Sequence, residues 1–289
     1  MDKAITGHTG LYCLLGSPVA HSASPQMHNE AFRLLGVDAR YLAFDVTQET
    51  LRTAVDGLRA MGARGWNLTM PCKTAMAPLC DELTPVARLC GAVNTVANRG
   101  GRLVGTTTDG LGWVLSAKEA GVGVAGKRIV QLGCGGAGTS ILAQCAVDGA
   151  AAIDVFKRKN ASWDDTRAFA ERVKAETSCQ VVLHDIEEKT ELCACIAEAD
   201  VLLNTTSVGM RGAGGCLIPD ASYLHAGLAV SDIIYEPRET ELLRMAREAG
   251  CRTVGGMYML LWQGAAAFEF WTGRKMPVGE IRAKYFAEA

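Results

Sequence analysis

Along this chain short apolar runs alternate with longer stretches in which apolar residues recur every three or four positions, the pattern of strands separated by amphipathic helices. Strands are expected over residues 11–15, 40–44 and 65–68, with helices after Ser24-Pro25 and over 48–61. Ser24 and Pro25 suit the N-cap and first helical positions, since a serine oxygen accepts a free amide and proline has none to leave unpaired. Asn98-Arg99-Gly100-Gly101 is turn sequence and predicts a hairpin between Val93 and Val104. Strands follow over 128–132, 152–156, 180–183, 201–203 and 228–234, with helices over 139–147, over 164–176 and ending near Glu198. Apolar-rich helices close the chain over 256–271 and from Gly279 on.

This order predicts an α/β protein: an N-terminal α/β domain with a mainly parallel sheet, then a Rossmann-type doubly wound domain, with the boundary near residues 109–112. A length of 289 residues with 49% hydrophobic positions can supply a core for each. A formal charge of −2 and a pI near 6.2 leave no basic field for nucleic acid, so small-molecule partners are expected. The apolar stretch 11–15 is too short for a signal or membrane segment, which predicts a cytoplasmic protein. Eleven cysteines lie mostly in apolar segments (Cys13, Cys145, Cys195) without a C-x-x-C pair, as reduced core thiols would. The five histidines form no H-x-x-x-H or H-E-x-x-H pattern, and no metal site is expected.

The most informative motif is Gly133-Cys134-Gly135-Gly136-Ala137-Gly138, between the strand Arg128-Ile129-Val130-Gln131-Leu132 and the helix from Thr139. In a strand, glycine turn and helix of this kind Gly133 permits the turn, Gly135 lets the backbone approach a pyrophosphate and Gly138 lets the helix pack on the strand. The helix N-terminus holds the anion.

Three polar clusters precede it. In Gly16-Ser17-Pro18-Val19-Ala20-His21-Ser22-Ala23-Ser24 the hydroxyls of Ser22 and Ser24 follow the first strand and suit a hydroxylated or carboxylated ligand. In Gly65-Trp66-Asn67-Leu68-Thr69-Met70-Pro71-Cys72-Lys73 a cation stands at a helix start, where the dipole and partial enclosure would favour its neutral form. In Gly91-Ala92-Val93-Asn94-Thr95 and Gly105-Thr106-Thr107-Thr108-Asp109-Gly110, Asn94 and Asp109 are expected at neighbouring strand ends. A carboxylate beside Lys73 would keep it charged at rest and orient a substrate hydroxyl. Each has a plainer use: Ser24 and Asp109 as helix caps, Lys73 as a solvated surface group.

Together with Asn204-Thr205-Thr206-Ser207-Val208-Gly209-Met210, Tyr235-Glu236-Pro237, Gly255-Gly256-Met257 and Leu261-Trp262-Gln263-Gly264-Ala265, these clusters resemble the shikimate dehydrogenase family over almost the whole chain. The last segment, with 268–273, looks most like its quinate/shikimate dehydrogenase branch. The resemblance implies reversible oxidation of the C3 hydroxyl of shikimate to 3-dehydroshikimate, with Lys73 as proton acceptor and Asp109 its partner. It implies substrate contacts from Ser22, Ser24, Thr69, Lys73, Asn94, Asp109, Tyr235 and Gln263. Cofactor contacts would come from Gly133, Cys134, Gly135, Gly136, Ala137, Thr205, Ile233 and Gly256. It assigns residues 1–110, completed by helices over 257–289, to substrate binding and catalysis, and 111–256 to an NAD(P)-binding Rossmann domain; a homodimer is compatible with it.

Two departures bear on specificity. The strand over 152–156 ends in Lys157-Arg158-Lys159, where the family has Asn-Arg; cations there can pair with a 2′-phosphate, which favours NADP with NAD second. Asn160 stands where the quinate branch often has an acid. Thr107 stands where the family has asparagine before Thr-Asp-Gly, which bears on substrate preference. Quinate as main substrate, and a non-catalytic sensor of shikimate or quinate, are the alternatives.

Overall fold

The computed structural model describes residues 4–286, so the outermost residues of the expected ends, 1–3 and 287–289, lie outside it. The chain divides into two compact units, one made of residues up to Thr108 together with those from Leu261 on, the other of Asp109–Leu260.

The first unit contains β1 (Gly10–Gly16), α1 (Ser24–Leu34), β2 (Ala39–Asp45), α2 (Gln48–Ala60), β3 (Gly65–Leu68), α3 (Lys73–Met76), β4 (Glu82–Leu83), α4 (Pro85–Cys90), β5 (Thr95–Arg99) and β6 (Arg102–Thr106). Its six strands lie in the order β2-β1-β3-β5-β6-β4. β1 is parallel to β2 and β3, because α1 and α2 carry the chain back between them. The β5–β6 hairpin is antiparallel, and its turn residues Gly100 and Gly101 take positive φ. The paired segment runs from Thr95 to Thr106, two residues later than the span from Val93 to Val104 suggests.

Local chemistry sets the helix starts. α2 is closed by a reciprocal cap in which the Thr47 amide donates to Thr50 Oγ1 at 3.1 Å. The expected Ser24 cap is not formed: Ala23 takes the cap position, already in helical conformation, and Ser24 is the first helical residue. Ser22 Oγ accepts the Ser24 amide at 3.2 Å, so the cap-like acceptor comes from two residues earlier. Two short elements, β4 and α4, were not expected; α4 is announced by Thr84-Pro85, and the Thr84 hydroxyl accepts the Ala87 amide.

The long helix Met257–Thr272 builds its later turns into this unit. Trp271 Nε1 donates to the Val96 carbonyl at 2.8 Å, and Phe268 and Trp271 pack with Tyr12, His28, Phe32 and Tyr41. Gly264 makes this approach possible, since the Met27 side chain fills the space a Cβ would need.

The second unit contains α5 (Asp109–Glu119), β7 (Arg128–Leu132), α6 (Gly136–Val147), β8 (Ala152–Lys157), α7 (Trp163–Glu176), β9 (Gln180–Asp185), α8 (Lys189–Ala197), β10 (Val201–Asn204), β11 (Ala229–Asp232), α9 (Glu241–Glu248) and β12 (Arg252–Val254). The chain closes with α10, the long helix already described, and α11 (Val278–Tyr285). All pairings in this sheet are parallel, in the order β12-β11-β10-β7-β8-β9. That is the doubly wound dinucleotide-binding order, which reverses between β7 and β10 and places ligands outside the strands' carboxyl ends there. α9 and β12 were not expected, although Leu242, Leu243, Met245 and Ala246 are buried on one face of a helix capped by Thr240. Among the described residues no helix is long and apolar enough to cross a membrane.

One buried group sets an acid limit. His28 is fully buried and stacked on Tyr41 at 4.6 Å, and among the described residues neither ring nitrogen has a hydrogen-bond partner. Burial holds its pKa down to about 3. The unfolded chain takes up this proton near pH 6.5 and the folded chain does not, so stability falls as pH drops below about 6.5. The loss is roughly 1.4 kcal/mol per pH unit from this group until about pH 3. His28→Phe should flatten that part of a plot of urea midpoint against pH; an unchanged slope would exclude this role.

Candidate active site

In the first unit the carboxyl ends of the strands carry a connected set of polar side chains. Asn94, just before β5, is buried and donates from Nδ2 to Thr108 Oγ1 at 3.1 Å. Its Oδ1 accepts the Thr108 amide at 2.8 Å and the Thr95 hydroxyl at 2.9 Å. Asn67 in β3 donates to the Asn94 carbonyl at 3.1 Å and to Thr95 Oγ1 at 2.9 Å, and it accepts the Tyr41 hydroxyl at 2.7 Å. Burial strongly disfavours ionisation of the Tyr41 hydroxyl. One path of polar contacts therefore joins Tyr41 through Asn67 to the expected ligand group Asn94. Tyr41 and Asn67 were not singled out from the sequence. An asparagine inside the otherwise apolar Trp66-Asn67-Leu68 was the available signal.

Lys73 is the first residue of α3, with Cys72 at the cap position, as its place after Pro71 predicts. The Lys73 carbonyl accepts the Val93 amide at 2.9 Å, which fixes its backbone beside that of Asn94. Thr69 donates its amide to the Leu15 carbonyl at 2.9 Å, one strand from the Ser22 loop. Lys73, Thr69, Ser22, Ser24 and Gln263 of α10 are all half-buried, and Thr107 is buried. Of the eight expected substrate contacts, six therefore belong to the first unit. Asp109, the buried first residue of α5, and Tyr235, exposed after β11, belong to the second.

In the second unit the glycine turn follows β7, and α6 starts at Gly136, three residues earlier than expected. The first-turn amides from Gly136 to Gly138 thus fall within the motif, where helix geometry leaves them without helical partners. Gly133 has φ 89°, and a Cβ there would stand 2.5 Å from the Thr206 methyl; a Cβ at Gly138 would stand 2.5 Å from Thr205 Oγ1. At Gly135 and Gly136 a Cβ would meet nothing within 4 Å. The turn is therefore packed at its two ends and open between, the form a pyrophosphate requires.

Buried side chains hold it in place. Thr205 donates to the Leu132 and Gly133 carbonyls at 2.9 and 3.0 Å, and Gln131 donates to the Gly133 and Gly138 carbonyls at 2.9 and 3.1 Å. Asp232, fully buried, accepts from Asn204, Thr240 and the Ile234 amide. Asn204 Oδ1 in turn accepts the Thr206 amide and hydroxyl. Gln131 and Asp232 were missed, although each is a polar residue in an apolar strand. Ile233 and Gly256 do not line the cavity at the turn; they pack on each other, with the Ile233 carbonyl where a Gly256 Cβ would project.

A cavity of about 450 Å³ opens at the turn, lined among others by Gly133, Cys134, Gly135, Lys157, Arg158 and Thr205. The three basic residues at the end of β8 are engaged in different ways. Lys157 is buried, and its ammonium donates to the Ser162 carbonyl at 2.9 Å, the Ser162 hydroxyl at 2.8 Å and the Thr166 hydroxyl at 2.9 Å. All three of its protons are taken by neutral oxygens, and burial lowers its pKa. Lys159 pairs with Asp185 at 3.3 Å and lies over the Trp163 ring. Arg158 is exposed and lines the cavity, so it is the member of the run placed to meet a phosphate there.

Residues 14–96 match the family model for the shikimate dehydrogenase substrate binding domain, and residues 256–284 that for the shikimate 5′-dehydrogenase C-terminal domain. A shikimate dehydrogenase (NADP(+)) of Listeria monocytogenes is 46% identical over 287 residues, 99% of each chain. The chain belongs to the shikimate dehydrogenase family. Another member, a quinate/shikimate dehydrogenase of Escherichia coli, is 41% identical over 96% of this chain and 97% of its own. A Listeria monocytogenes shikimate 5-dehydrogenase structure, a complex with shikimate and NAD, covers 98% of each chain at 46% identity with a TM-score of 0.95.

Two variants test how this family member holds its polar loops. Tyr41→Phe leaves the buried Asn67 Oδ1 without the Tyr41 hydroxyl and should cost about 1–3 kcal/mol in urea unfolding; a loss below about 0.3 kcal/mol would show the path to be incidental. Lys157→Met should speed amide exchange over 158–162, and unaltered exchange there would show that the ammonium does not hold the loop.

Proposed function

We propose that the chain catalyses reversible oxidation of the C3 hydroxyl of shikimate to 3-dehydroshikimate with NADP. The observation that carries this reading is the 46% identity, over 99% of both chains, to a shikimate dehydrogenase named for NADP(+). A hydroxyl-rich acid needs many directional partners to offset lost hydration, and the first unit offers Ser22, Ser24, Thr69, Asn94 and Gln263. The open centre of the turn at Gly135 and Gly136 fits a pyrophosphate, and Arg158 beside it fits a 2′-phosphate.

A nicotinamide held at the glycine turn would supply the acceptor for the hydride that leaves C3. Lys73 takes the hydroxyl proton as that hydride departs and returns a proton to the carbonyl oxygen in the reverse direction. Asp109 works with it as the carboxylate that orients the reacting hydroxyl, and Tyr235 contributes a further substrate contact. Thr205, Ile233 and Gly256 serve the cofactor. We assign substrate binding to residues 1–110 with 257–289, and cofactor binding to 111–256, in a cytoplasmic enzyme.

Positioned acid–base help of this kind is worth roughly 10²- to 10⁴-fold in rate. Lys73→Ala should therefore lower kcat by about that factor while NADP affinity stays within about twofold, and full turnover in the variant would remove Lys73 from the chemistry. The assay should set shikimate and quinate against NADP and NAD, because the relative with 41% identity is named for both acids. The highest kcat/KM is expected for shikimate with NADP. A quinate maximum would shift the substrate assignment, and silence in all four combinations would favour a sensor.

A further inference from the structure

Away from the residues assigned to catalysis, the second unit brings together three side chains that sequence spacing did not connect. Asp154 of β8, His184 of β9 and Cys195 of α8 each offer a ligand atom, and these atoms lie within 4.8 Å of one another. His184 Nε2 is 3.0 Å from Asp154 Oδ1, and both side chains are only 13% exposed. The ring is held in place by stacking on Phe156 at 4.5 Å, with planes 12° apart. On α8 Glu191 stands one turn before Cys195, its Oε1 3.8 Å from the Cys195 sulfur.

We propose that Asp154, His184 and Cys195 form a binding site for one thiophilic divalent cation, zinc by its donor set, with Glu191 or water as fourth ligand. Nitrogen, sulfur and carboxylate oxygen in one group is zinc chemistry, and tetrahedral ligation sets ligand atoms roughly 3.5 Å apart. The His184–Asp154 pair is already near that spacing at 3.0 Å, and no pair exceeds it by more than about 1.3 Å. A thiolate, a carboxylate and a neutral imidazole balance the charge of a dication, which makes half-burial of the ion affordable. Metal binding displaces the thiol proton to solvent and leaves the His184 ring neutral; no oxidant or reductant is involved. The site ties β8 and β9 to α8, and Phe156 connects it with the turn, since its carbonyl accepts the Gly133 amide at 2.8 Å.

The test uses the reduced, metal-stripped full-length protein without nicotinamide. Co²⁺ should give a near-ultraviolet thiolate-to-metal band that saturates at one ion per chain, and Zn²⁺ should bleach it by displacement. H184Q and C195S should each weaken Co²⁺ binding by at least about tenfold. C193S, which alters the exposed cysteine two positions away, should leave binding unchanged. No band in the wild type, or a band that survives in both H184Q and C195S, overturns the site. If either variant fails to fold, X-ray absorption of the zinc-loaded wild type decides: one sulfur with lighter ligands supports the site, and several sulfurs or none refutes it. Dehydrogenase activity is assayed separately, so failure here leaves the proposed reaction standing.

Discussion

Every buried polar group at the carboxyl end of a parallel strand must find a partner inside the protein, and the architecture of both units follows from how that need is met. In the first unit Asn94, just before the antiparallel β5, meets the carboxyl ends of β3 and β6, and its side-chain amide uses its oxygen on Thr95 and Thr108 and its nitrogen on Thr108 again. In the second, Gln131 and Asn204 do the corresponding work at the ends of β7 and β10. Such side chains fix the loops from which ligand-facing groups project. A hydroxyl or backbone amide can meet a ligand in defined geometry only if the backbone beneath it has one conformation.

The two ammonium groups of interest show how differently the same residue type is used. Lys73 sits half-buried at the head of a four-residue helix, with its backbone fixed by the Val93 amide. Lys157 carries a charge into the protein with only neutral oxygens around its protons. A cation so placed is costly to hold, and its field extends into the cavity that it lines. The result is a division of labour within three consecutive residues, in which one cation supports the loop, one is exposed at the cavity, and one pairs with Asp185.

Much of the fold was legible because periodicity is a local property: each long strand and helix of the glycine-turn region could be marked from apolar spacing alone. β4 and β12 were not, since two or three residues cannot show a period, and their pairing with β6 and β11 comes from distant chain. α9 could have been found from Thr240 and the apolar face that follows it. In the site, the residues that present groups to a ligand were legible as clusters, while those that hold them were not. Asn67 and Asp232 stand out only as polar residues in apolar strands and Tyr41 not at all, because their roles depend on partners 26, 27 or 28 positions away. Lys157 was read from its charge, which says nothing of Ser162 and Thr166 closing over it.

Gly264 seats α10 against Met27, and Trp271 donates to the Val96 carbonyl of β5, so the first unit is assembled from the two ends of the chain with the whole second unit between them. During synthesis the Asp109–Leu260 segment has all its own strands before its predecessor has all its helices. The sheet that forms first must wait, its aromatic face uncovered around Phe32 and Tyr41, until the ribosome has delivered Phe268 and Trp271. The order in which the polypeptide emerges thus makes the earliest-made half the last to be completed.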